Sequence, residues 1–278
     1  MTLPVSTEPV RIVRHPDRVV ELRLDDPVRG NALDLRTAEA LRDASREVAA
    51  DPGGAVLLRS AGSSFCVGGD LRAFAGRGAE TGAYVRAVAD AAHAAIQALY
   101  DLPVPLVTAV PGAAAGGGVG LALVGDVVLA ARSARFRLAY TAIGLTPDCG
   151  ASWFLPRLVG PRRATELVLT DRVLTGDDAE RWGLVSRSVD DGRLQAAAHE
   201  TASALAAGAG AALRAAKSLL RAGDGDGLRR HLAEEARSIA ALADGPRAQE
   251  LMAEFLAARG RPKPGGGRTG ALAAESVS

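Results

Sequence analysis

The stretch from residue 102 to residue 125 carries no charged side chain and is long enough to cross a bilayer. Pro103, Pro105 and Pro111 interrupt it, and three consecutive glycines occupy positions 116 to 118. A continuous helix through these residues would be costly, because proline lacks an N–H donor and glycine loses much backbone entropy. We therefore interpret this stretch as a buried strand, a glycine turn and a short buried helix, and not as a membrane span.

Strand and helix patterns alternate along most of the chain. Strands are predicted at residues 10–13, 19–24, 55–59, 106–110 and 127–130, and helices at residues 35–50, 84–100 and 118–124. Asp34 is a suitable N-cap for the first of these helices, and a Pro-Gly-Gly sequence ends it. The alternation predicts an α/β fold with repeated crossovers.

The last third of the chain reads differently. Strand patterns cease at about residue 201, and residues 204–222, 228–243 and 246–258 show helical patterns. We predict a core at residues 1–200, a helical oligomerisation region at 201–260 and a disordered tail at 261–278, which is rich in Gly, Pro and Ser. Apolar positions suited to subunit contacts are Leu242, Leu251, Phe255 and Leu256.

Composition excludes several classes of protein. The 33 Lys and Arg residues balance 32 Asp and Glu residues, so no strong field attracts nucleic acid or an anionic membrane. Cys66 and Cys149 are too few for a disulfide framework and have no zinc-ligand spacing. The N-terminus lacks the basic and apolar segments of a signal peptide, which predicts a cytoplasmic protein.

Two glycine-rich turns each follow a predicted strand and precede a predicted helix, at residues 112–122 and 63–71. Glycines let a ligand approach the main chain, and the first turn of a helix offers unpaired N–H donors to an anion. The alternative is a tight turn with close helix–sheet packing. Leu121 stands where a dinucleotide-binding fingerprint requires glycine, and no Gly-Lys-Ser/Thr triplet follows, so two familiar phosphate loops are excluded.

Several short motifs follow one another along the chain, beginning with Phe-Cys-Val-Gly-Gly-Asp-Leu at residues 65–71 and continuing at residues 109–112 with 115–118, 130–136, 174–176 and 182–185. In this order they resemble the enoyl-CoA hydratase/isomerase (crotonase) superfamily. Residues 65–71 are similar to its first signature, and residues 109–112 with 115–118 are similar to its second. The resemblance implies a spiral of repeated ββα units with a C-terminal helical appendage, assembled as a homotrimer or hexamer.

The resemblance also implies an acyl-CoA substrate, with no cofactor or metal besides the coenzyme A of the substrate itself. The N–H groups of Gly69 and Gly117 would bind the thioester oxygen as an oxyanion hole. Residues expected to contact the substrate are Val67, Gly68, Leu71, Gly116, Tyr140, Lys217 and Phe255. Lys217 and Phe255 resemble family positions near the CoA nucleotide, and Phe255 is expected to reach a neighbouring subunit.

The family's hydratases use two glutamates, and both positions lack a carboxylate in this chain. Gly120 occupies the first and Tyr140 the second. Residues 144–157 instead resemble the isomerase branch that includes ring-1,2-epoxyphenylacetyl-CoA isomerase of phenylacetate degradation, with Asp148 as the catalytic carboxylate. The same position is a nucleophile in the family's dehalogenases.

Three alternatives remain open at this stage. Asp148 follows Pro147 and suits the N-cap of the next helix. The second alternative is that the chain is an enoyl-CoA hydratase with non-standard acid–base residues. The third is that it is a CoA-thioester binding protein without catalysis. The histidines at positions 15, 93, 199 and 231 lie outside both glycine turns and are expected to be structural or surface residues.

Overall fold

The computed structural model describes residues 8–260, with side chains through residue 258. Its strands are β1 (Val10–Arg14), β2 (Val19–Leu24), β3 (Ala55–Ser60), β4 (Ser64–Cys66), β5 (Leu106–Val110), β6 (Ala113–Ala115), β7 (Val127–Ala131), β8 (Arg135–Arg137), β9 (Leu174–Thr175) and β10 (Arg187–Val189). Its α-helices are α1 (Leu35–Ala50), α2 (Leu71–Phe74), α3 (Thr81–Tyr100), α4 (Gly117–Leu123), α5 (Ala151–Leu158), α6 (Pro161–Thr170), α7 (Gly176–Trp182), α8 (Leu194–Ala207), α9 (Gly210–Arg221), α10 (Gly227–Ala243) and α11 (Pro246–Gly260). Short 3₁₀ helices cover Pro27–Arg29, Gly78–Glu80, Thr141–Ile143 and Asp191–Arg193.

The strands form a large sheet and a small one. The large sheet has the order β1-β2-β3-β5-β7-β10, in which β1 and β2 are antiparallel and the other neighbours are parallel. The small sheet has the order β4-β6-β8-β9, with only the last pair antiparallel. Every residue of β5 is buried, as its uninterrupted apolar sequence predicts for a central parallel strand.

A strand of the large sheet, a short strand of the small sheet and a helical segment recur in that order. The sequence β3-β4-α2 is followed by β5-β6-α4 and then by β7-β8 with the 3₁₀ turn Thr141–Ile143. Each repeat begins with a large-sheet strand, and β3, β5 and β7 are parallel, so the loops that follow their carboxyl ends gather at one edge of the sheet. This arrangement brings the two glycine turns into neighbouring positions.

Helix α3 lies between α1 and α10 and packs against both. Asp34 caps α1 as predicted, since its carboxylate accepts a 2.8 Å hydrogen bond from the Thr37 N–H. Asp70 caps α2 in the same way by accepting from the N–H groups of Arg72 and Ala73. Helix α11 contacts α2 and the 3₁₀ turn Thr141–Ile143, which places it over the glycine turns.

The helical prediction for residues 204–222 was wrong. Two helices, α8 and α9, occupy this region, and Gly208 separates them with an extended main chain (φ −73°, ψ −174°). Helix α8 begins at Leu194 and packs on β3, β5 and β7, so residues 200 and 201 lie inside one helix of the core. The division of the chain near residue 200 stays a prediction, and the tail at 261–278 lies outside the described residues.

The uncharged stretch at residues 102–125 forms β5, β6 and α4, as interpreted from its prolines and glycines. Throughout residues 8–260, every helix is too short or too polar to cross a membrane.

Candidate active site

The two glycine turns lie side by side because β4 and β6 are parallel neighbours. Ser64 pairs with Ala113, and Cys66 pairs with Ala114. Gly68 (φ +84°) and Gly116 (φ +50°) both have left-handed backbones, which glycine adopts without strain. A Cβ atom at residue 68 would lie 2.6 Å from the carbonyl oxygen of Ala115, so the close approach of the two turns requires glycine there.

The main-chain nitrogens of Gly69 and Gly117 are available to a ligand. The main chain of Leu33 pairs with the segment around Gly69. The Leu33 N–H donates to the Gly68 carbonyl, and the Asp70 N–H donates to the Leu33 carbonyl, so neither bond uses the Gly69 N–H. Gly117 is the first residue of α4, so its N–H has no acceptor one turn earlier. Within residues 8–260, neither N–H has a main-chain acceptor.

Both glycines line one cavity of about 410 Å³. Its inner wall is apolar and comes from α3, α10 and α11 and from the segment after β8; the residues are Val85, Val88, Ala89, Ala92, Leu138, Ile143, Leu145, Ile239, Phe255 and Leu256. Its outer part includes the charged residues Arg29, Asp70, Arg72 and Arg137. An apolar cavity with a few polar groups on its wall is the usual form of a small-molecule site.

Most of the residues predicted at the site meet at this cavity. The predicted residues that line it are Val67, Gly69, Leu71, Gly116, Gly117, Tyr140, Asp148 and Phe255. Gly68 lies just behind the wall, where its carbonyl accepts a hydrogen bond from the Leu33 N–H. Phe255 and Leu256, predicted as subunit contacts, line the cavity of their own chain.

The structure does not bring Lys217 to the cavity. Its ammonium group, on α9, contacts Asp126 (2.6 Å) and the carbonyl oxygen of Val104 (2.8 Å). Arg221 binds the other oxygen of Asp126, and Asp126 also accepts from the Leu106 N–H. Lys217 therefore anchors α9 to the start of β5 and β7 in this chain.

Asp148 is buried, with 8 % of its surface exposed. Its Oδ1 atom accepts a 2.6 Å hydrogen bond from the hydroxyl of Tyr140. A Cβ atom at residue 117 would lie 3.5 Å from the same Oδ1, so the carboxylate lies beside the first turn of α4. Helix α5 begins at Ala151 with Gly150 as its N-cap, and no side chain caps it from position 148. The carboxylate of Asp148 thus faces the cavity and does not cap α5.

Tyr140 remains a neutral phenol in this setting. Burial, together with the negative charge of Asp148, raises the pKa of the Tyr140 hydroxyl well above its usual range. The hydroxyl therefore keeps its proton and donates a hydrogen bond to the carboxylate. Burial likewise raises the pKa of the neighbouring Cys149 thiol, which keeps that side chain uncharged.

The turn that carries Asp148 is held by His93, which was expected to be a structural or surface residue, and by Glu235, which sequence reasoning missed. Nε2 of His93, on α3, accepts a 3.0 Å hydrogen bond from the Cys149 N–H. The carboxylate of Glu235, on α10, accepts from the N–H groups of Gly150 (2.8 Å) and Ser152 (3.1 Å). Neither residue lies near residue 148 in the chain, and no motif marks them. Their helical positions on the buried faces of α3 and α10 were the one available signal.

Gly120 is packed too closely to be replaced by a catalytic side chain. A Cβ atom at this position would lie 2.0 Å from the carbonyl oxygen of Cys149. The turn at residues 148–150 therefore occupies the space into which a side chain at residue 120 would extend. Tyr140, at the position of the second hydratase glutamate, is 5 % exposed and lines the cavity.

The donor atoms of His93, Asp148 and Cys149 lie within 4.8 Å of one another. Such a nitrogen, oxygen and sulfur set resembles the ligands of a transition metal. In this chain His93 Nε2 already accepts from the Cys149 N–H, and Asp148 Oδ1 already accepts from Tyr140. Internal hydrogen bonds thus occupy Nε2 of His93 and one of the two carboxylate oxygens of Asp148.

Comparison with known proteins identifies relatives of this chain. The profile of the enoyl-CoA hydratase/isomerase family matches residues 14–262. A probable enoyl-CoA hydratase of Rhodobacter capsulatus is 37% identical over 239 residues, covering 86% of this chain and 91% of that protein. The chain belongs to the enoyl-CoA hydratase/isomerase family. A 1,2-epoxyphenylacetyl-CoA isomerase of Escherichia coli is also 37% identical, over 70% of this chain and 76% of that protein.

A solved member of the enoyl-CoA hydratase/isomerase family has the same architecture. The enoyl-CoA hydratase of Mycobacterium avium subsp. paratuberculosis superposes with a TM-score of 0.80 at 28% identity, covering 89% of this chain and 99% of that one. The predicted fold, a spiral of ββα units followed by helices, is therefore confirmed. The chain is an acyl-CoA enzyme of this family by descent.

Proposed function

We propose that this chain is an enoyl-CoA isomerase that moves a double bond by proton transfer through Asp148. The observation that carries the proposal is the position of Asp148. Within residues 8–260 it is the one buried carboxylate that lines the cavity, and it lies beside Gly117. A single acid–base group that reaches two carbons of an enoyl chain is sufficient for a 1,3-proton shift.

The reaction follows from where negative charge develops. The Asp148 carboxylate removes a proton from the carbon between the thioester carbonyl and the double bond, and the electrons of the broken C–H bond move toward the thioester oxygen. The N–H groups of Gly69 and Gly117 donate to that oxygen and stabilise the resulting dienolate. Each such donor lowers the barrier by about 3 kcal/mol when it is preorganised. The protonated Asp148 then returns its proton to the γ carbon, and the double bond becomes conjugated with the thioester.

Tyr140 assists by keeping the carboxylate in place. Its hydroxyl donates to Oδ1 of Asp148, so the other oxygen of that carboxylate remains for the substrate proton. Buried Leu145 and Ile143 line the same part of the cavity and exclude water from the dienolate. The reaction needs no cofactor besides the coenzyme A that the substrate carries.

Hydration is the main rival, and the name of the Rhodobacter capsulatus relative favours it. Hydration of the usual kind needs one group to activate water and another to protonate the α carbon. Position 120 cannot supply a side chain, and position 140 supplies a phenol that keeps its proton. We therefore favour isomerisation over hydration.

A product assay separates the candidate functions. The purified protein is incubated separately with a 3-enoyl-CoA and a 2-enoyl-CoA, and the products are analysed by chromatography with mass spectrometry. A positional isomer of unchanged mass is expected. A product heavier by one water would instead identify a hydratase, and unchanged substrate with measurable binding would identify a binding protein. A panel with straight-chain and aromatic acyl groups, including phenylacetyl derivatives, then addresses the acyl group and the link to phenylacetate degradation.

A further inference from the structure

The turn that carries Asp148 has an unfavourable main-chain conformation. Cys149 (φ +55°) and Gly150 (φ +76°) are both left-handed, and Cys149 is not a glycine. A side chain in this region is strained and persists only where surrounding contacts maintain it. In this conformation, the Asp148 side chain lies beside Gly117 and Cys149 packs against α4.

Glu235 provides the largest share of these contacts. Its two carboxylate oxygens accept from the Gly150 N–H, the Ser152 N–H and the Ser152 hydroxyl. The Ser152 oxygen also lies 2.7 Å from Nε2 of His231 on the same helix. Glu235 itself is 5 % exposed, so this is an interior network and not a surface contact.

The carboxylate of Glu235 is held by hydrogen-bond donors and not by a cationic side chain. In the described part of the chain, no lysine or arginine pairs with Glu235, and its nearest basic groups are His231 (3.7 Å) and His93 (3.9 Å). Burial lowers the pKa of both histidines, which favours their neutral forms. Burying a carboxylate without a cationic partner is costly, and the hydrogen bonds from the Gly150 N–H, the Ser152 N–H and the Ser152 hydroxyl offset this cost.

We propose that Glu235 is a positioning residue for the isomerisation: its carboxylate fixes the turn at residues 149–152 and thereby holds Asp148 beside the oxyanion donors. This inference rests on the proposed role of Asp148. The geometry supports it from two sides. Tyr140 holds the carboxyl end of the Asp148 side chain, whereas Glu235 and His93 hold the main chain that follows it. The same helix, α10, also contributes Ile239 to the cavity wall.

The test compares Glu235→Gln with Glu234→Gln in the full-length enzyme. Glutamine keeps the size of Glu235 but replaces one of its two accepting oxygens by an NH₂ group. At least one N–H group of the turn therefore loses its acceptor. Glu234 is the adjacent, exposed residue of α10 and pairs with Arg237, which makes it a matched control. Glu235→Met is a second variant of similar length that has no acceptor and no charge to bury.

Steady-state kinetics are measured at a temperature well below the unfolding transition of each variant. We expect Glu235→Gln and Glu235→Met to lower kcat about 10- to 100-fold, as a small misplacement of a catalytic group does. The Kd for a non-reactive acyl-CoA should change less than about 3-fold, because the oxyanion donors are on other segments. Glu234→Gln should match the wild type. A purely structural Glu235 would lower the unfolding temperature and leave kcat of the folded enzyme unchanged, and that result would overturn the inference.

Hydrogen exchange gives a readout that does not depend on the role of Asp148. Amide exchange in a peptide that spans residues 145–155 should be faster in Glu235→Gln than in Glu234→Gln, because the Gly150 and Ser152 amides lose their acceptor. Unchanged exchange there contradicts the positioning role. If exchange increases while Asp148→Asn retains full turnover, the contacts of Glu235 are as described but the proposed function fails, so the two failures are distinguishable.

Discussion

The hydroxyl of Tyr140 and the carboxylate of Asp148 form a buried pair on the cavity wall, joined by a 2.6 Å hydrogen bond. The pairing fixes the orientation of both side chains. The phenol keeps its proton because burial raises its pKa, and the carboxylate has one oxygen oriented by that proton. In the proposed isomerisation, Asp148 is the general base and Tyr140 orients it.

Asp148→Asn is expected to abolish isomerisation. The amide has nearly the same shape but cannot take a proton from carbon, and the loss of a general base lowers kcat about 10²- to 10⁴-fold. The measurements are kcat with a 3-enoyl-CoA and the Kd of an acyl-CoA product, which should stay within about 3-fold of the wild type. Asp90→Asn, at an exposed position of α3, is the matched control. Full turnover by Asp148→Asn would remove this residue from the mechanism.

Tyr140→Phe should lower kcat about 10-fold while the protein stays folded. The change removes one hydrogen bond to a charged group, and such bonds contribute about 1.5–3 kcal/mol. The ring remains to fill the cavity wall, so the Kd for acyl-CoA should change little. An unchanged kcat would mean that the phenol only shapes the cavity.

Among the elements, the contact of α4 with the start of α5 determines which chemistry is accessible. Gly120 of α4 lies directly against the carbonyl of Cys149, in the turn before α5. Position 120 therefore accommodates only a residue without a side chain. The space of the absent first glutamate is therefore filled by main chain. Restoring a glutamate at that position would displace the turn that carries Asp148.

Gly120→Ala is predicted to destabilise the protein by roughly 1–3 kcal/mol, the usual cost of overpacking a tight core. The new Cβ would approach the Cys149 oxygen to 2.0 Å, and that oxygen belongs to the main chain, so it cannot rotate away. Gly192→Ala is the control, because no atom lies within 4 Å of a Cβ there. Chemical denaturation of both variants measures the difference, and equal stabilities would contradict the packing described for α4.

Helix α10 introduces a pH dependence through Glu235. Burial raises the pKa of its carboxyl from 4.5 to about 7, and the groups that face it are Asp148, Ser152, His93 and His231. Between those two values the folded chain binds more protons than the unfolded chain. The stability contribution of this group therefore falls as pH rises from about 4.5 to 7 and is constant above.

Glu235→Gln removes this titration. Relative to the wild type, the variant should gain stability between pH 5 and pH 8, by at most about 3 kcal/mol. Denaturant unfolding of both proteins at the two pH values gives the comparison. A constant difference between the two proteins across this range would show that the carboxyl does not titrate there.

At the scale of the whole molecule, the cavity is closed by helices far along the chain from the glycine turns. Helix α11 supplies Phe255 and Leu256 to the same chain's cavity, so residues from about 28 to 256 contribute to one wall. Truncation before α11 would therefore open the cavity as well as shorten the protein. The cytoplasmic location inferred from the N-terminal sequence stays a prediction.

Helix α9 leaves apolar side chains on the surface. None of its residues is buried, and Leu219 and Leu220 are 78% and 87% exposed. We propose, as the family resemblance implies, that the chain assembles as a homotrimer or hexamer and that α9 lies at a subunit contact. Light scattering after size exclusion should give a trimer or a multiple of it for the wild type, and a smaller species for a Leu219→Asp/Leu220→Asp double variant. A monomeric wild type would contradict the assembly.

The local sequence predicted five strands of the large sheet, the two glycine turns and most of the long helices, but no strand of the small sheet. Apolar runs with turn residues on both sides predicted β2, β5 and α1 with their correct bounds, because each depends on its own periodicity and capping. The prediction of one helix over residues 204–222 overlooked a local signal, because Gly208 ends α8 and Gly210 begins α9. Lys217 shows the limit of local sequence, because its partner Asp126 is 91 residues away.

The sequence by itself determined the family, the repeat of strands and helices, and the identity of Asp148, Gly69 and Gly117 as candidate catalytic groups. Only the tertiary structure decided what surrounds them. It showed that Asp148 faces Tyr140 and does not cap α5, that main chain blocks Gly120, and that Glu235 and His93 hold the turn from two distant helices. The physical reason is that periodicity and capping act within a few residues, whereas burial and hydrogen-bond partners are set by segments that meet only when the chain folds.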